Sequence, residues 1–400
     1  MRGHTAGSNP MLTDLRLVLA VLVALSGVAC NRISFGPAGE AIEGEPPPAL
    51  LARAEKGDAA AQFEVAVFYE AKDQQIQDID EAIEWYTMAA EQGFARAQTA
   101  LGIILMHGEG VARNSQEARR WLLRAVEQNE PLAHYQLGEL YGAGLDFDPD
   151  PVKAVLWWQK ASDLGVTSAH YRLAEAYEQG LGVEADSERA LALYRMAAES
   201  GSNVARYRLA LIYDEGKLVA RDATEAATWY RVAAEEGYAP AQAQLGYMYA
   251  RGDGVPPRYD MALEWSRKAA DAGDADGCNN LAVLYLKGFG VEQDLGEALK
   301  WYRVAAQRNH AAAQNMLGTL FLTGQGGVSQ SNGEAEHWWR MAAEQNYAPA
   351  QYNLGGMYSR GLSDSLSRDD ALKWLARAAE QGHSAAQAEL SALEAGSSPT

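Results

Sequence analysis

The chain has 400 residues, with 34 Lys and Arg against 53 Asp and Glu, a formal net charge of −19. Hydrophobic residues make up 48% and charged residues 22%, so the chain can form a core and is not a disordered polymer. The acidity argues against nucleic acid or an anionic membrane surface as main partner, and two cysteines, Cys30 and Cys278, exclude a disulfide framework and any all-Cys metal cluster.

Residues 1–29 read as a cleaved export signal. The apolar run Leu17–Ala29 follows Arg2 and Arg16 and is shorter than the roughly 20 residues a spanning helix needs. It ends in Gly27-Val28-Ala29-Cys30, which resembles the bacterial lipobox. That resemblance implies that the Cys30 thiol takes a diacylglycerol and becomes the mature N-terminus. Gly27 stands where the lipobox usually has Leu, and the alternative is an ordinary secretory signal with an incidental Cys. Asn31 after the Cys leans toward the outer membrane of a bacterial envelope. Residues 30–48, rich in Gly, Pro and Glu, are expected to be a flexible tether. Fully extended at about 3.1 Å per residue, such a tether reaches roughly 50–60 Å.

The remainder repeats. Trp85, Trp121, Trp157, Leu193, Trp229, Trp265, Trp301, Trp338 and Trp374 recur every 36 residues, with one step of 37. Three residues before each lies an Ala, and eight after each lies Gly or Asn, the residues that tolerate the left-handed conformation closing a helix. The other half of the unit reads Ala-x-x-x-Leu-(Gly/Ala)-x-x-Tyr, as in Ala133 to Tyr141 and Ala241 to Tyr249, followed by a glycine-bearing turn. Each unit is therefore helix A, turn, helix B, nine times over 59–382. Residues 49–58 read as a lone helix B capping the start, 383–395 as a lone helix A closing the end, and 396–400 as a disordered tail. The Trp column is expected in the core.

The stretch AQAQLGYMYARGDGVPPRYDMALEWSRKAADAG, residues 241–273, and its eight register-matched copies resemble the Sel-one-like repeat (SLR) family, relatives of the tetratricopeptide repeat. The resemblance implies an all-α fold: antiparallel helix pairs stacked as a right-handed superhelical solenoid. It also implies an adaptor in bacterial envelope assembly or signalling.

Catalytic patterns are missing: no Ser-x-x-Lys, G-x-S-x-G, H-E-x-x-H or phosphate-binding loop. The chain is read as non-enzymatic, with no cofactor and no metal. His134 and His170 share one repeat position, but a third ligand is missing, since Arg206 and Gln242 follow in that column. At about 100° per residue, the residue two before the repeat Leu lies opposite the buried stripe, on the face expected to line a concave groove. There stand Tyr135, Tyr171 and Tyr207, flanked by Glu139, Glu175, Glu178 and Asp214. Large rings with polar tips suit an interface, although they equally suit packing between units. The expected function is thus a protein-interaction scaffold of the cell envelope, facing the periplasm and touching membrane only through a lipid. It holds an envelope protein or peptide. The rivals are a peptidoglycan or other saccharide binder and an enzyme with a site assembled across repeats.

Overall fold

The computed structural model describes residues 45–71, 76–145, 148–363 and 365–395. The proposed signal, Cys30, most of the tether and the tail lie outside the described residues. Among the described residues there are twenty α-helices and no strand, divided between two compact units that meet in sequence at Ser200 and Gly201.

The first unit contains α1 (Pro48–Glu55), α2 (Ala59–Ala71), α3 (Ile76–Glu91), α4 (Ala95–His107), α5 (Ser115–Val126), α6 (Pro131–Ala143), α7 (Pro151–Asp163), α8 (Thr167–Gln179) and α9 (Ser187–Glu199). The second contains α10 (Asn203–Glu215), α11 (Ala223–Glu235), α12 (Ala239–Arg251), α13 (Tyr259–Asp271), α14 (Ala275–Lys287), α15 (Leu295–Gln307), α16 (Ala311–Thr323), α17 (Asn332–Glu344), α18 (Ala348–Ser359), α19 (Arg368–Glu380) and α20 (Ser384–Glu394). Within each unit consecutive helices pack on one another, giving a stack of helix pairs, the solenoid arrangement of repeat proteins.

Local chemistry sets the helix ends. Helix B opens on an Asn, Asp or Ser whose side chain accepts a backbone N–H of the first turn, as at Asn114, Asp150, Asp186, Asp222, Asp294, Ser331 and Ser367. It closes on the Gly/Asn column, which has positive φ at all nine positions. Asn129, Asn309 and Asn346, with φ of 58°, 65° and 64°, are the three non-glycine residues with positive φ among the described residues, and all three belong to this column.

Packing between the two helices of a repeat follows a paired rule. The small residue after the repeat Leu faces the residue just after the Trp column. Ala66, Ala174, Ala210 and Ala282 go with Tyr86, Tyr194, Tyr230 and Tyr302. Gly102, Gly138, Gly246, Gly318 and Gly355 instead go with Leu122, Trp158, Ser266, Trp339 and Leu375. A Cβ on Gly318 would lie 2.5 Å from the Trp339 ring, and one on Gly102 2.7 Å from Leu122 Cγ. This close approach outweighs the cost of about 1 kcal/mol for Gly inside a helix.

The Trp column departs from expectation. Trp121 and Trp265 are buried, but Trp85, Trp157, Trp229, Trp301, Trp338 and Trp374 are only half-buried. The deeper aromatic column is the next one, with Tyr86, Tyr194, Tyr230 and Trp339 all but inaccessible. The Trp rings form the rim of the core, and a cation three residues on covers several of them: Arg124 at 4.6 Å from Trp121, Lys160 at 4.4 Å from Trp157, Lys268 at 4.1 Å from Trp265.

A polar staple joins successive repeats. Buried Gln62, Gln98, Gln242, Gln314 and Gln351 each donate from Nε2 to the carbonyl eight residues earlier, at the end of the preceding helix B, at 3.0–3.2 Å. Four of them also accept from a Gln at the end of their own repeat's helix B: Gln92, Gln128, Gln345 and Gln381, at 2.6–3.0 Å.

Candidate binding face

In the first unit Tyr135 and Tyr171 are half-buried on α6 and α8. Tyr171 meets the buried Tyr194 edge-on at 5.5 Å between centroids. The Tyr135 phenol is held well above its ordinary pKa, by burial first and by the Glu139 carboxylate second. Tyr207 lies in the second unit, 5.6 Å from both Tyr230 and Tyr238. Burial, reinforced by Asp276, pushes its phenol up to about 12. Each of these rings thus presents one side to the core of its own unit and the remainder to solvent.

The carboxylates flanking the tyrosines are engaged, which the sequence did not reveal. Glu139 accepts from Arg172 Nε at 3.0 Å and Nη2 at 2.8 Å, and from the Trp158 indole N–H at 3.1 Å. Glu175 accepts from Arg172 Nη1 at 3.0 Å. Burial opposes charge on Arg172, yet Glu139 keeps its guanidinium above the ordinary value. Glu178 is spent inside the fold, accepting the Tyr194 hydroxyl at 2.6 Å. Asp214, in the second unit, pairs with Arg221, which also reaches Asp253 at 2.6 Å.

Arg172 is therefore the centre of the first unit's face. It bridges repeats three and four and forms the floor of a cleft of about 350 Å3 walled by Trp158, Ala143, Ala176 and Leu181. No repeating pattern marks Arg172: its column holds Gln136, Arg208 and Gln244 in neighbouring repeats. Trp158 follows Trp157 directly, and its pairing with Gly138 is what places it here.

His134 and His170 are both buried. His134 Nδ1 lies 2.9 Å from the Glu130 carbonyl, and its ring packs on Trp157 at 5.7 Å. Burial lowers the His170 pKa, so its ring is neutral at pH 7. Among the described residues no three His, Cys, Asp or Glu side chains converge as metal ligands would. Cys278 is buried.

The Sel1 repeat family matches nine consecutive segments, 59–94, 95–130, 131–166, 167–202, 203–238, 239–274, 275–310, 311–347 and 348–383. The fold is similar to that of a protective antigen present in uropathogenic Escherichia coli strains and displaying an SLR fold. The two are 32% identical over 88% of this chain and 75% of that one, with a TM-score of 0.69. It is also similar to a Sel1 repeat protein from Oxalobacter formigenes, 30% identical over 61% of this chain and 96% of that one, with a TM-score of 0.56. No curated protein matches the chain.

Proposed function

Because this chain belongs to the Sel1 repeat family, whose members are in general protein-interaction scaffolds and typically non-catalytic, we propose that it is a non-enzymatic scaffold of the bacterial envelope. It holds a protein or peptide segment on the face bearing Tyr135, Tyr171, Glu139, Glu175 and Arg172. The observation that carries this reading is the cleft over Arg172. An ion-pair network, the half-buried Trp158 ring and apolar walls meet there at the surface, the mixture that interface centres favour. Glu178 supports the face from inside, and Tyr207 with Asp214 provide a separate contact on the second unit.

The chain is proposed to reach this location through export and lipidation at Cys30, with a lean toward the outer membrane. Cys30→Ala is expected to abolish fatty-acid labelling and to leave the protein unprocessed or released. Unchanged detergent partitioning of that variant would defeat the anchor.

The scaffold itself is tested by capture from envelope extracts with wild type and Tyr171→Ala. Losing the Tyr171–Tyr194 ring pair costs about 0.5–1.5 kcal/mol of local stability. Capture must therefore be scored per folded molecule, and we expect it to fall severalfold. Equal capture by folded wild type and variant would remove Tyr171 from the interface.

A further inference from the structure

We propose that the cleft over Arg172 is a socket for one cationic side chain, Arg or Lys, presented between apolar residues by a basic segment of a partner protein. This inference rests on the scaffold reading and gives its first-unit face a ligand chemistry.

The charges do not balance. Arg172 faces two carboxylates, Glu139 and Glu175, so the group carries a net single negative charge. Both Glu139 oxygens are engaged: one accepts from Arg172 Nε and from Trp158, the other from Arg172 Nη2. Glu175 is not saturated. Its Oε2 accepts from Arg172, and among the described residues of the first unit its Oε1 makes no hydrogen bond. Glu175 lines the cleft, as does the exposed Gln179.

The walls have the opposite character. The Trp158 indole N–H is spent on Glu139, which leaves only its carbon surface to a ligand. Leu181 is 53% exposed on the turn after α8, although it lines the cleft. Ala143 and Ala176 complete an apolar passage leading to the carboxylate. A long aliphatic stem ending in a cation fits both parts. The stem covers apolar surface, and the head supplies the missing charge to Glu175. An anionic or purely apolar side chain would leave Glu175 desolvated and unpaired, which is costly. The field of a chain with net charge −19 attracts a basic segment and repels an acidic one.

The test uses the full chain and three synthetic peptides: acetyl-Ser-Leu-Arg-Leu-Ser-amide, the same with citrulline for Arg, and the same with Glu for Arg. Binding is read by calorimetry at low salt. Citrulline keeps the shape of Arg and removes its charge. We expect the Arg peptide to bind, the citrulline peptide to bind about tenfold more weakly, and the Glu peptide not to bind. Glu175→Gln should cost about the same tenfold and Leu181→Ser severalfold, with unchanged melting temperatures. Glu188→Gln, which removes an exposed charge outside the cleft, should change little.

Equal binding of the Arg and citrulline peptides would overturn the socket. So would a loss in Glu188→Gln as large as in Glu175→Gln, because attraction would then be general. If no peptide binds while capture from envelope extracts still depends on Tyr171, the socket fails and the scaffold reading stands. If Tyr171→Ala also leaves capture unchanged, the first-unit face itself is wrong.

Discussion

Repeats one, two, eight and nine are stapled differently from the five between them. In the outer repeats Gln62, Gln98, Gln314 and Gln351 each span two helix ends, donating to one and accepting from a Gln on the other. In the middle the column reads His134, His170, Arg206, Gln242 and Cys278. Gln242 still donates to the Ala234 carbonyl at 3.0 Å, but its buried Oε1 finds no protein partner, because Ala272 stands where a Gln would be. Cys278 replaces both bonds with long sulfur contacts, 3.9 Å to the Ala270 carbonyl and 4.0 Å from Arg308 Nη1. One backbone geometry is thus maintained with two grades of polar fastening. The weaker grade is seen at Gln242 and Cys278, in repeats six and seven, and hydrogen exchange should register the difference.

The comparison breaks most readily at the staples. Gln351→Leu removes the bonds to the Ala343 carbonyl and the Asn346 side chain and the one from the Gln381 amide, each of which keeps another partner, and should destabilise repeat nine by about 2 kcal/mol. Gln242→Leu removes one made bond together with one unsatisfied oxygen, so about 1 kcal/mol is expected. Site-resolved hydrogen exchange measures both, since repeat proteins need not unfold as one unit. Equal losses would show that the second bond of the staple is idle.

A second contrast concerns the buried tyrosines. Tyr194 donates to Glu178, whereas the Tyr302 hydroxyl, equally buried, has no protein partner because Leu286 stands at the position of Glu178. Tyr194→Phe should cost about 1 kcal/mol and Tyr302→Phe should be neutral or slightly stabilising. A large loss in Tyr302→Phe would mean that its hydroxyl is satisfied in solution.

The smallest expected effect is a pH response of opposite sign in two repeats. Glu70 in repeat one, half-buried and accepting the Tyr86 hydroxyl, has its carboxyl pushed up by desolvation from 4.5 to about 7. Its contribution is present below the unfolded value and is lost as pH rises through about 7. Burial lowers the His170 pKa, so its contribution is present above the unfolded value of about 6.5 and is lost as pH falls. Between pH 5 and 7.5, exchange should quicken in repeat one and slow in repeat four, relative to Glu70→Gln and His170→Gln.

The fold was legible because it is stated nine times. A left-handed helix end admits Gly and Asn almost alone, so Gly93, Asn129 and their equivalents marked each boundary without ambiguity. Depth was less legible. Two adjacent aromatic columns have the same period, and periodicity does not say which is the inner one; Trp85 gave way to Tyr86. The binding face was half legible. Tyr135 and Tyr171 declared themselves by register, but Arg172 stands in a column that holds no constant residue. Its role depends on Glu139, 33 residues away in another helix. Free-looking acids such as Glu178 were likewise committed to partners that only the fold brings near.

The pairing of Ala with Tyr and Gly with Trp, Leu or Ser also bears on how such an array can grow and shrink. Nearly identical tandem units invite unequal recombination. An exchange at the boundary between repeats moves helix A and helix B together and keeps each pair matched. An exchange at the turn inside a repeat could set an Ala-bearing helix A, such as α8, against a helix B carrying Trp, such as α17. The methyl group would then occupy the space that Trp339 takes over Gly318. Overpacking of this kind costs about 1–3 kcal/mol. The rule therefore makes the whole 36-residue unit the module that recombination can exchange, and works against chimaeras joined at mid-repeat.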